Sequence, residues 1–138
     1  IPLLVSFIPM LMDTGGNCGS QSSTLIIRGI ALGEIQFSDL FRVMFKEFRV
    51  SLIVGVALAL ANGIRILIMY KNAGLALVIG LSLVATIVIS KLIGCVLPLI
   101  AKKLHMDPAI MASPLITTLV DTCSILIYFN IATQVFQL

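Results

Sequence analysis

Charged side chains are scarce in this sequence: Asp, Glu, Lys and Arg make up 11% of its 138 residues, where a soluble domain carries about 25%. Hydrophobic residues supply 59%, and the mean hydropathy is +1.17. A domain of about 150 residues still exposes roughly 30% of its unfolded surface. A chain this short cannot hide so much apolar surface from water, which excludes a soluble globular protein. The same composition excludes disorder and collagen. The excess of basic over acidic residues is small, nine against six. That is no footprint for nucleic acid, and the basic residues read instead as topology markers. Cysteine is sparse too. Cys18, Cys95 and Cys123 are odd in number, far apart and form no C-x-x-C. They read as free thiols packed in a membrane, not as a disulfide scaffold or metal site. No Walker loop, metalloprotease motif or nucleophile–base arrangement occurs, so nothing points to an enzyme. The chain opens Ile1-Pro2, without Met or the charged n-region of a signal peptide. It reads as a piece of a longer protein.

What is present is apolar and long. Four segments stand out, at about 2–33, 50–70, 74–101 and 108–135, within a single membrane domain covering 1–138. The second, Val50 to Tyr70, has 21 residues; at about 1.5 Å rise each it spans roughly 32 Å, enough for the hydrocarbon core. Helix is the state in which such a segment satisfies its own backbone, and no alternating ten-residue strands of a barrel appear. The expected architecture is therefore an all-α bundle of four transmembrane helices. The connector 34–49 holds Glu34, Asp39, Arg42, Lys46, Glu47 and Arg49, with Leu40, Phe41, Met44, Phe45 and Phe48 at helical spacing. It reads as a short amphipathic helix at the interface. This connector and the 102–107 loop carry most of the basic residues, so their side is expected to be cytoplasmic and the C-terminus outside. A cytoplasmic native N-terminus then requires an odd number of helices before Ile1.

The polar residues inside these spans are few. Asp13 to Thr24 forms a run of twelve polar or small residues between apolar ones. In lipid such a run needs partners or a wet cavity, and it is expected to be a broken helix facing a pore or core. Gly15, Gly19 and Ser23 form a close-packing face within it. In the last span Asp107 and Pro108 are placed as N-cap and N1, and Pro114 invites a kink. Ser113, Thr117, Asp121, Ser124 and Tyr128 fall within about an 80° arc at 100° per residue, a single polar stripe. Asp121 lies roughly 20 Å deep at 1.5 Å per residue, and Asp13 about 22 Å from Arg28. Two carboxylates at one level suit a cation path or a proton relay; Lys91 is the alternative, structural partner for Asp121. Ser51, Gly55, Ala59 and Gly63 form a small-residue packing stripe, and Ser82, Thr86 and Ser90 a milder one.

The available ligands are carboxylates, hydroxyls, amides and carbonyls, which favour a hard divalent cation over zinc or copper. One Asp121 cannot neutralise a divalent ion, whereas two around a twofold axis can, so a homodimer with an axial pore follows naturally. The run from Pro9 through Asp13-Thr14-Gly15-Gly16-Asn17-Cys18-Gly19-Ser20-Gln21 to Glu34 resembles the MgtE magnesium transporter/channel family. So does Asp107-Pro108-Ala109 followed by Pro114-Leu115-Ile116-Thr117-Thr118-Leu119-Val120-Asp121. The resemblance covers essentially the whole chain. It implies helices two to five of a five-helix domain, a homodimeric pore in the cell membrane, bacterial inner membrane included, and Mg²⁺ as the transported ion. The regulatory domains that close the pore in that family are absent from this chain. By resemblance Asp121 is the pore aspartate that holds hydrated Mg²⁺. Gly15, Gly16 and Asn17, with Asp13, belong to the pore-facing helix. Ser113, Thr117 and Ser124 line the pore, and Asp107 is an acidic metal position at the cytoplasmic mouth. Cys18 stands where the family often has Ala or Thr. Two rival readings remain: an ion-coupled exporter relaying protons or sodium through Asp13, Lys91 and Asp121, and a noncatalytic assembly module.

Overall fold

The computed structural model describes residues 2–111 and 113–137, and every regular element among them is helical. The order is α1 Pro2–Val5, α2 Ile8–Ala31, α3 Leu40–Tyr70, α4 Ala73–Lys103 and α5 Ser113–Phe136. Single 3-10 turns at Phe37–Asp39 and Pro108–Met111 precede α3 and α5. Among the described residues α3, α4 and α5 are long and apolar enough to cross a bilayer. α2 has the length, 24 residues, but its polar run lowers its hydropathy. The chain is an all-α membrane bundle.

Local chemistry explains where the helices stop. Gly33, at φ 73°, ends α2 in the left-handed region, where a residue without Cβ is unstrained. The Glu34 and Ile35 amides then donate back to the Gly29 carbonyl at 2.9 and 3.2 Å. Gly29 has no side chain because Ile35 folds over it, where a Cβ would collide with the isoleucine. Gln36 and Asp39 form a capping box, with the Gln36 amide donating to Asp39 Oδ2 at 3.0 Å. Lys71 and Asn72 alone join α3 to α4, and Asn72 Oδ1 accepts from the Leu75 amide at 3.1 Å. So short a turn makes these two helices antiparallel neighbours.

Three expectations about the segments change. The polar run 13–24 does not break its helix: α2 is continuous through it, and the interruption falls earlier, at Ser6 and Phe7. The run stays helical because α4 and α5 pack on its glycine face. The amphipathic connector is helical, but from Leu40 onward it continues unbroken into the second span. At about 1.5 Å per residue the 31 residues of α3 reach roughly 46 Å, beyond the ~30 Å core, so its charged first turns project to the interface. Pro114 does not kink a helix. The last span is split by the 3-10 turn, α5 begins at Ser113, and Pro114 sits in its first turn, where its missing N–H costs nothing. Asp107 does cap, its Oδ1 accepting from the Ala109 amide at 3.0 Å, but it caps the 3-10 turn.

α4 is the central helix and touches α2, α3 and α5. Its crossing with α2 is the tightest contact. A Cβ on Gly94 would overlap the Gly19 carbonyl, and one on Gly19 would stand 2.8 Å from Ile116 Cγ2 and 3.2 Å from the Ser90 carbonyl. Pro98 lies inside α4 and leaves the Gly94 carbonyl without its helical donor. On the other side a Cβ on Gly55 of α3 would stand 3.2 Å from the Val84 Cα, as the small-residue stripe requires, whereas Gly63 faces open space. Apolar clusters close both ends. Leu4, Phe7, Leu11, Ile79, Leu83 and Tyr128 belong to the one near the α3–α4 turn, with the Tyr128 hydroxyl donating to the Leu4 carbonyl at 2.6 Å. Ile26, Cys95 and Leu99 form the other.

The two glycine environments give a paired prediction. Gly94→Ala pushes a methyl into backbone that has no rotamer to yield, so it lowers stability by about 1–3 kcal/mol, the usual overpacking cost. Gly63→Ala has room and helix propensity on its side and leaves stability unchanged or slightly higher. Thermal unfolding of both variants in detergent checks the difference.

Candidate cation site

One face of α2 and one of α5 enclose an open hollow of about 350 Å³. From α2 it is lined by Met12, Asp13, Gly16, Asn17 and Ser20, and from α5 by Thr117 and Asp121. The positions recur every three or four residues, as one helix face demands. The Asn17 amide donates to Asp13 Oδ2 at 3.4 Å. Asp121 is half-buried, and its Oδ1 is sealed from solvent without a hydrogen-bond donor. A carboxylate oxygen in that state is costly unless a cation or water satisfies it.

Helix phase and helix packing divide the expected site residues between two layers. Asp13, Gly16, Asn17, Thr117 and Asp121 come together at the hollow. Gly15 and Ser124 do not reach it: Gly15 is buried where a Cβ would stand 2.7 Å from Thr86 Cγ2 and 3.1 Å from Ser124 Oγ. The α5 stripe is thus cut in two, Thr117 and Asp121 facing the hollow while Ser124 and Tyr128 are buried inside the bundle. The side chain of Ser113 lies outside the described residues. Asp107 is exposed and stands apart, beside a separate hollow of about 280 Å³ shared with Lys102. Among the described residues no three His, Cys, Asp or Glu side chains cluster as metal ligands. Two carboxylates, an amide and hydroxyls are too few to replace the six oxygens of a bare hard cation. They suit an ion that keeps its water. Six waters fill roughly 180 Å³ at about 30 Å³ each, within the volume of the hollow.

Lys91 does not pair with Asp121. Its Nζ lies 3.7 Å from Glu47 Oε2 and donates to Ser22 Oγ at 3.5 Å, while the Ser22 hydroxyl donates to Glu47 at 2.8 Å. The Lys91 and Glu47 side chains are only 7% and 13% exposed, so this is a buried ion pair binding α2, α3 and α4 together. Lys91 points between α2 and α3, away from the α2–α5 hollow, and the carboxylate of Asp121 remains unengaged by it. By sequence Glu47 belongs with the interfacial connector. A signal for its burial existed: stepping the Ser51, Gly55, Ala59 stripe back four residues lands on Glu47. Met12 and Ser20 line the hollow as well; Ser20 belongs to the polar run and is seven residues from Asp13, on the same face.

The family model describing MgtE divalent cation transporters matches residues 8–131. The chain belongs to the MgtE family. A magnesium transporter MgtE of Bacillus subtilis is 42% identical over 130 residues, and one of Thermus thermophilus 37% over 133. The Enterococcus faecalis protein of the same name is 35% identical over 132 residues. These matches cover 94–96% of this chain. The chain spans 29% of the length of each of those relatives. In this MgtE-family helix bundle, the α2–α5 hollow is a polar feature that membrane packing alone does not require.

The buried pair makes a stability prediction. Lys91→Met leaves Glu47 buried and unpaired and destabilises the fold by about 3–5 kcal/mol, whereas adding Glu47→Gln recovers most of the loss. A double-mutant cycle read by thermal unfolding measures the coupling.

Proposed function

We propose that this chain is the pore-forming part of a magnesium transporter, which passes Mg²⁺ across the membrane into the cytoplasm. The reading rests on the unpartnered Asp121 Oδ1 in the α2–α5 hollow. The magnesium transporter names of the relatives support it. A bilayer-buried acid without a protein partner is a functional group by default. Two copies of the chain bring two Asp121 carboxylates to a shared axis, and their charge matches one divalent ion. The ion is held through its water, which Mg²⁺ gives up reluctantly. Asp13, Gly16, Asn17 and Thr117 line the same path; Gly15 and Ser124 shape it from behind, with Ser113 and Asp107 toward the cytoplasmic mouth. The end carrying Arg28, Arg42, Lys46, Arg49, Lys102 and Lys103 faces the cytoplasm, and the C-terminal end of α5 faces outside. An inside-negative potential of 100 mV then contributes about 2.3 kcal/mol per elementary charge, twice that for a divalent ion.

The ion-coupled exporter needs Lys91 in a relay between Asp13 and Asp121. Its engagement with Glu47 and Ser22 counts against that arrangement. A pure assembly module has no use for an unpartnered acid beside a hollow. In proteoliposomes holding the full-length protein, Asp121→Ala is expected to cut Mg²⁺ influx about 10- to 100-fold, the worth of one contact to a charged group. Dimerisation and thermal stability stay intact. Normal flux in that variant would falsify the central assignment, and flux that needs an opposing proton or sodium gradient would favour the exporter.

A further inference from the structure

A second hollow, of about 310 Å³, opens between the end of α2 and the start of α3. Leu25, Ile35 and Val43 give it an apolar side, and Arg28 and Lys46 a basic one. Glu34 and Glu47 also line it. Glu47 is already engaged by Lys91. Just outside, Asp39 is engaged by Arg42 at 3.1 Å. The unengaged charges lining the hollow are therefore mainly positive, Arg28 and Lys46 against Glu34.

The outer face of α3, turned away from the hollow, marks its level along the helix. Phe41, Phe45 and Phe48 are 81%, 63% and 41% exposed and recur at i, i+4 and i+7. The stripe continues into Leu52 and Ile53, exposed apolar residues of the membrane span. Such a face belongs against lipid, and its first turns lie where acyl chains meet headgroups. Arg49 lies over the Phe45 ring at 5.7 Å, a cation held at the same level. The hollow thus combines what a phospholipid presents: an apolar wall for its chains and two free cations for its phosphate.

We propose that this hollow is a binding site for an anionic phospholipid, with the headgroup on Arg28 and Lys46 and the chains against Leu25 and Val43. The site rests on the membrane-spanning fold alone and is independent of which ion the chain carries. It differs from the general attraction of basic loops to an anionic leaflet in being confined to one hollow.

The test uses the full-length protein in nanodiscs, with Leu25→Trp as reporter, because Leu25 lines the hollow and is 55% exposed. The 138-residue segment holds no tryptophan, so the parent protein supplies the baseline. Brominated phosphatidylglycerol is expected to quench this reporter at a lower mole fraction than brominated phosphatidylcholine. Arg28→Gln and Lys46→Gln each raise the mole fraction of phosphatidylglycerol needed by about five-fold, the weight of one basic residue near an anionic surface. Glu34→Gln lowers it. Quenching by phosphatidylcholine stays the same in every variant, which verifies folding. Equal quenching by the two lipids overturns the proposal. So does an equal loss of preference from Lys102→Gln with Lys103→Gln, because those lysines lie outside the hollow. A weaker preference in Glu34→Gln overturns it as well.

Discussion

The contact of Gly19 with Gly94 governs this structure. α2 carries the long polar run Asp13 to Thr24, and a polar helix does not remain in lipid unless its polar face is covered or wetted. Two glycines facing each other bring the α2 and α4 backbones close enough for van der Waals contact. That close approach hides the Ser22 and Ser23 side of α2 and leaves the Asp13, Asn17 and Ser20 side turned outward. The hollow beside α5 is the consequence, because the same helix cannot face α4 with both sides.

Along the bundle the polar groups fall into two classes. Lys91, Glu47 and Ser22 satisfy one another and bind three helices. A buried pair of this kind adds little net stability over an apolar replacement, but it fixes register, since slipping one helix by a turn strands both charges. Asp121 has no such closure. Its unshared oxygen and the open volume before it make it suited to an ion that comes and goes. Behind it, the hydroxyls of Thr86 and Ser124 are buried without hydrogen-bond partners among the described residues, and the packing around Gly15 is tight.

Much was legible before any coordinate. Low charge and long apolar runs required a helical membrane bundle, and the 3.6-residue period placed Thr117 with Asp121 on one face. Matching depth put Asp13 level with Asp121, and both line one hollow. The connector misled because Phe41, Phe45 and Phe48 give it an interfacial pattern that is real for its outer face. Glu47 is on the inner face of the same helix, and only the close packing of α3 on α4 buries it. Pro114 misled differently: proline ends a helix or bends it, and the periodicity of the sequence does not distinguish the two.

The sequence by itself determined the solvent, the helices and the faces, since these follow from hydropathy and helical period, which are local. The tertiary structure decided the partners. Lys91 had two acids within plausible reach of its span, Asp121 and Glu47, and the helix crossing at Gly19 and Gly94 turned it toward Glu47. Pairing depends on where separate helices cross, a property of the packed bundle that no single helix contains. By satisfying Lys91 elsewhere, the fold left Asp121 Oδ1 without a hydrogen-bond partner among the described residues.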